Sequence, residues 1–277
     1  MAELTRKEVI QLIAVVSGLQ AGVRLAGVDL SGLDLHGLAL AYADLRKANL
    51  SDTLLSKADL RHADLAGADL SRSVLNGCDL SGANLTGAVL HDARLSTAAL
   101  REAQLSRADA VGADLREADL TEARLNLADL SSADLTRAVL TRARLSKAHL
   151  GGADLLDAQL QHADLSEVNL DLANCARANF SHAYLQRASL IEANLSWCSL
   201  RDANLSDAIL LRADLTNADC SRAILRAVQM RGAILRDTNL GEASLREAQI
   251  DEGALVYALI SATVLPDGST AQNGRLA

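Results

Sequence analysis

Along most of the chain, apolar residues return every fifth position. Counting in fives from Leu25 to Leu265 gives 49 positions without an insertion or deletion, and 42 of them are Leu. The exceptions are Ala110, Cys175, Phe180, Cys220, Met230, Ile250 and Ile260. Two residues before each lies a second restricted slot, Ala in 36 of 49 cases and otherwise mostly Val, Thr, Ser or Cys. The residue between the two is Asp or Asn in 24 of 49 cases, as in Ala63-Asp64-Leu65. The two that follow the Leu are variable and polar, for example Arg46-Lys47.

A period of five suits neither regular element. In a helix, successive Leu would lie ~140° apart and scatter around the axis. In a strand they would alternate between faces. The pattern is satisfied if short extended pieces are joined by a corner every five residues. The chain then winds into a coil, with Leu and the Ala two residues earlier both pointing inward. The constancy of the small residue marks a tight space that larger side chains would overpack.

This A-(D/N)-L-x-x pattern resembles the pentapeptide-repeat family over residues 21–267. The resemblance implies an all-β solenoid, a right-handed quadrilateral β-helix with four pentapeptides per coil and about 12 coils. Stacked at the spacing of neighbouring strands, such coils would make a rod ~60 Å long.

Before the repeats, Thr5-Arg6-Lys7-Glu8 reads as a capping box. Val9, Ile10, Ile13 and Val16 follow at helical spacing, and Gly18 is a plausible stop. The expected domains are a cap helix within 1–20 lying over the first coil, the β-helix over 21–267 and a flexible tail over 268–277. The first inward small slots, Val23, Val28, Leu33 and Leu38, are larger than the later Ala and fit a wider first coil against that helix. At the other end Val256, Tyr257, Leu259 and Val264 occupy outward positions that are polar elsewhere. They either fold over the last coil or form a homodimer contact, a use known in the gyrase-binding branch of the resembled family.

Composition narrows the function. Aromatics are 2% of a chain that is 49% hydrophobic, so Ala and Leu supply the core. A net charge of −8 argues against direct nucleic-acid binding. No signal peptide is read, and Val9–Val16 is far too short to span a membrane. A soluble cytoplasmic protein is expected. Four Cys lack paired spacing. Cys175 and Cys220 stand in Leu slots, and Cys78 and Cys198 in Ala slots, where they serve as core filling. No phosphate loop, nucleophile elbow or metal-binding motif is present, so no enzyme and no cofactor are expected. In the family register His62, His162 and His182 share a column with Asp202, a surface coincidence rather than a metal site. Ala110 interrupts the Leu ladder between Leu90 and Leu130, as a dent filled by neighbours or as a pocket.

Two surface features are candidate sites. Leu172, Ile191, Ile209 and Leu211 lie outward on adjacent coils of one side and form a candidate partner patch, with Trp197 on the next side. Asp114, Asp134, Asp154 and Asp214 form a candidate acidic stripe, interleaved with Asn174 and Asn194. Such a stripe either caps turns or imitates DNA phosphate, as in gyrase-interacting members of the family. The expected function is non-enzymatic protein binding to an unidentified partner. The alternative is modulation of a type II topoisomerase by DNA mimicry, against which stand the 27 basic residues interspersed among 35 acidic ones.

Overall fold

A computed structural model describes residues 4–16 and 22–271. The chain divides into two compact units, Met1–Val139 and Leu140–Ala277. Within each, the residue between the two inward slots pairs in parallel with the residue twenty positions on along nearly the whole run, as in Asp44↔Asp64 and Asn174↔Asn194. One coil is therefore four pentapeptides. The inward Leu and Ala are buried almost without exception.

The repeat follows from where its five backbone N–H groups go. In the stretch around Leu45, the Leu45 amide donates to Asp64 O at 2.8 Å in the next coil, and the Lys47 amide to Ala66 O at 3.0 Å. The Asp44 amide donates backwards, to Val23 O at 2.8 Å, and the Ala48 amide closes the corner on Leu45 O at 3.1 Å. The fifth amide, that of Arg46, has no main-chain partner and is taken by Asp44 Oδ1 at 3.4 Å. The same side-chain acceptor recurs at 3.0 Å in Asp79 with the Ser81 amide and at 2.9 Å in Asp214 with the Thr216 amide. Only a short side chain with an acceptor two bonds from Cβ reaches back in this way, which explains the preference for Asp and Asn at that slot.

The corner has a cost that the pattern of polar residues conceals. In the regular corners its second residue has φ between 53 and 64° in 36 non-glycine residues among those described, from Tyr42 to Ala262. That region crowds Cβ against the following carbonyl. No Val or Ile occupies the position, and Thr97 (φ 59) is its one β-branched residue. Gly27, at the first corner, enters the same region freely.

Polar residues that replace the inward Ala are satisfied in place. The buried hydroxyls of Thr53 and Ser73 donate to Leu50 O and Leu70 O, both at 2.6 Å. Those of Thr238 and Thr263 donate to Leu215 O at 2.8 Å and Leu240 O at 2.7 Å. All four Cys are free and buried. Burial pushes the thiols of Cys78, Cys175 and Cys220 up to about 12, and that of Cys198 also well upward. Such thiols stay protonated and unreactive.

In the first unit, α1 (Arg6–Val16) precedes the coils. Thr5 and Glu8 close a reciprocal capping box, with Glu8 Oε2 accepting from the Thr5 amide at 2.7 Å and Thr5 Oγ1 from the Glu8 amide at 3.4 Å. Arg6 reaches the first coil, pairing with Asp34 Oδ1 at 3.0 Å and donating to His36 O at 3.2 Å. Of the expected apolar seam, Val9 is buried and Ile13 half-buried, but Ile10 is exposed, along with Leu12 and Val15. Gly18 and the side chain of Val16 lie outside the described residues.

In the second unit the expected unbroken run of corners fails once. Residues Ala254–Tyr257 form a 3-10 helix entered through Gly253 at φ 81°. The register slips by one, so that the Asp237 amide donates to Tyr257 O at 2.8 Å, and is restored where Leu240 donates to Leu259 O. The Gly232 amide finds Asp251 Oδ2 at 2.6 Å instead of a main-chain carbonyl. Leu255 stays buried through the break, which is why counting in fives does not reveal it. The expected tail is fastened at its start: Thr270 pairs antiparallel with Val264, and the Ala271 amide donates to Thr263 O at 2.9 Å. The remainder of that tail, 272–277, lies outside the described residues.

Candidate interaction surface

The corners and flat faces of the coils are what the protein offers to others. Leu172 stands at the strained corner position and is 65% exposed. Its amide donates to Ile191 O at 2.8 Å, and the Glu192 amide donates to Leu211 O at 2.9 Å, so the three residues lie on successive coils. Ile209 is on the adjoining flat face, paired with Ser189. Ile191, Ile209 and Leu211 are only half-buried, and an ion pair between Glu192 and Arg212 flanks them. The four residues of the sequence-derived patch are thus neighbours, with Leu172 as its most open member.

Further exposed apolar residues in the same unit were not in that set. Trp197 is 64% exposed at a corner, and Tyr184, Ile224 and Ile234 are exposed at the slot that elsewhere holds Asp or Asn. Their departure from the Asp/Asn rule was the available signal.

Each carboxylate of the acidic stripe holds a turn. Asp114 Oδ1 accepts from the Arg116 amide at 3.2 Å, Asp134 from Thr136 at 3.0 Å, Asp154 from Leu156 at 3.0 Å and Asp214 from Thr216 at 2.9 Å. In the first unit Arg116 also grips Asp114 with two bonds, at 2.8 and 2.7 Å, and lies 3.5 Å from Asp134. That guanidinium, with the Ser96 hydroxyl, lowers the Asp114 carboxyl to about 2. In the second unit the Asn174 amide bonds Asp154 at 3.0 Å, and Asn194 bonds Asn174 at 3.1 Å.

The corner columns carry alternating charge. Arg72 pairs with Asp52, Arg177 with Asp157 and Arg222 with Asp202, each at 2.6 Å and each spaced by one coil. Glu167 is held from both sides, by Lys147 at 3.5 Å and Arg187 at 3.3 Å. These exposed pairs each contribute little to stability. They neutralise the surface locally at these corners.

The His162 and His182 rings stack at 4.9 Å and 5°. Asp202 is 3.9 Å from His182 but is engaged by Arg222. Among the described residues no group of three or more His, Cys, Asp or Glu is placed to hold a metal. Among them, too, no helix is long and apolar enough to cross a membrane.

At the C-terminal end Tyr257 is 62% exposed, Val256 and Leu259 are also exposed, and Val264 is half-buried and paired antiparallel with the returning Thr270. The expected group therefore splits. Val264 is half-buried, and the other three are exposed.

A four-sided parallel coil of twenty residues, filled by Leu and Ala and cornered at every fifth residue, defines a right-handed quadrilateral β-helix. The chain belongs to the pentapeptide-repeat family: the family described as pentapeptide repeats matches in eight copies that between them run from residue 21 to 255. One similar solved structure is HetL from the cyanobacterium Nostoc sp. strain PCC 7120, a pentapeptide repeat protein involved in heterocyst differentiation regulation. It is 33% identical over 97% of this chain and 100% of its own, with a TM-score of 0.37. Another is QnrB1, a plasmid-mediated fluoroquinolone resistance protein, 19% identical over 83% of this chain and 92% of its own, TM-score 0.39. A third is Rfr23 from the cyanobacterium Cyanothece 51142, 29% identical over 43% of this chain and 64% of its own, TM-score 0.23. Among curated proteins none matches the chain.

Proposed function

We propose that the protein is a non-enzymatic binding scaffold that captures a partner protein on the second unit. The observation that carries this reading is the cluster of Leu172, Ile191, Ile209 and Leu211 on successive coils, with Trp197 and Tyr184 exposed in the same unit. Ordering such a surface costs little on binding, because its backbone is already held by main-chain bonds to neighbouring coils. Replacing Leu172, Ile191 and Leu211 together with Ser leaves the circular dichroism spectrum unchanged and abolishes partner recovery from native extract. Recovery of the same partner in the same amount overturns the assignment.

Imitation of DNA towards a type II topoisomerase draws weaker support. Its candidate carboxylates are committed to turn amides, and Asp114 is also paired with Arg116. Homodimerisation through Val256, Tyr257 and Leu259 is a separate proposal, supported by their exposure at the C-terminal end.

A further inference from the structure

The interior of the first unit is sealed almost everywhere, but not around Ala110. Leu105, Ala108, Ala110 and Leu115 each retain 2% exposure, although all four point inward, while Ala103 and Ala113 between them retain none. These residues are the inward positions on the Ala110 side and on the sides before and after it. Residual exposure grouped in this way is what a small void left by the missing Leu side chain would produce. The void replaces the isobutyl group that this ladder carries at Leu90 and Leu130.

Two features keep it open. The coil cannot settle inward, because its hydrogen-bond lattice is undisturbed: the Leu90 amide donates to Asp109 O at 2.6 Å, the Ala110 amide to Asp129 O at 2.7 Å, and the Ala113 amide to Ala110 O at 3.1 Å. Nor does any neighbour grow to fill the gap. Another core irregularity behaves differently: Cys175 is smaller than Leu, Phe180 on the next side is larger, and both are fully buried. Around Ala110 the surrounding inward residues are only Leu and Ala, with no compensating bulk.

The lining is hydrocarbon. A buried water needs two to four polar partners, and the amides of Leu90, Ala110 and Ala113 are already spent. We propose that the Ala110 void is a dry internal site for a small non-polar guest, of the class of a noble-gas atom or a small apolar gas molecule. Dispersion contacts with the surrounding Leu methyls hold the guest, and no polar group is needed to select it. Entry proceeds through a transient local opening of the coil.

Xenon is the probe. Under a few bar of xenon, the methyl resonances of Leu90, Leu105, Leu115 and Leu130 shift and saturate, while those of surface Leu172 do not. Ala110→Leu abolishes the shifts and raises the melting temperature by about 3–8 °C, as expected for filling a core cavity in a chain of this size. Ala110→Val, a smaller filling, reduces the saturable shift. Saturable methyl shifts that persist in Ala110→Leu overturn the proposal. So does a wild-type response that is absent, or spread over surface methyls, and this result needs no variant to fold.

Discussion

Thr97 tests the claim that each corner is strained. It holds φ 59° at the second corner position, where every other described occupant is Gly or lacks a β-branch. The left-handed region costs a non-glycine residue about 1–2 kcal/mol, and a branched Cβ stands at the upper end of that range. Glycine removes this cost but loses about 0.5–1 kcal/mol through the greater freedom of the unfolded chain. Thr97→Gly therefore stabilises by about 1–1.5 kcal/mol, a rise of about 2–6 °C in melting temperature. Thr86 provides the control. It is exposed at the first corner position, outside the positive-φ set, where glycine brings only the entropic loss. Thr86→Gly lowers stability by about 0.5–1 kcal/mol. The signs of the two changes are opposite, so the comparison does not depend on the unfolding mechanism of a repeat protein. Thermal melts followed by circular dichroism decide the matter. If Thr97→Gly destabilises as much as Thr86→Gly, the strain argument is wrong.

Other consequences can be checked as directly. The Asp114 carboxyl is held down to about 2 by Arg116, so its stabilising contribution is complete above the ordinary carboxylate range and is lost as pH falls towards 2. Asp114→Asn should cost about 1 kcal/mol at pH 7, after allowance for the exposed guanidinium, and almost nothing near pH 2; equal losses at both pH values in urea titrations refute the pairing. In a gyrase supercoiling assay, micromolar protein neither inhibits the enzyme nor protects it from quinolone; inhibition that Asp134→Asn relieves would restore DNA mimicry. If the C-terminal group forms a dimer, Tyr257→Ser converts the protein to a monomer in concentration-dependent light scattering, and a wild type that stays monomeric at high concentration eliminates the dimer.

The inward residues were legible because their spacing is a direct record of the corners. Leu at every fifth position and Ala two residues before it both occupy the core. The strain at the corners was written less openly, in the absence of Val and Ile and in the glycines at Gly27, Gly32 and Gly37. A surface position that tolerates Arg, Glu, His and Leu alike looks unconstrained until its backbone is seen. The ion-pair columns were hidden for another reason. Arg72 and Asp52 become partners only if a coil has twenty residues, and a period of five does not by itself fix the number of sides. The break at Ala254–Tyr257 escaped notice because the slip is corrected within the same coil, leaving Leu255 and Ile260 in step. Of the surface candidates, the position of Leu172 among Ile191 and Leu211 could be read from the repeat, whereas the engagement of Asp114 by Arg116 depended on rotamers that spacing does not specify.

The donor pattern around Leu45 has an implication for ancestry. Within a unit the regular coils give the same bonds to the coil after them that they receive from the coil before, so a duplicated segment fits without new joints if it contains a whole number of pentapeptides. An insertion whose length is not a multiple of five would carry Leu positions onto the outside and Asp positions into the shaft. Molecules of this kind can lengthen only in quantised steps, and the genes encoding them inherit that quantum.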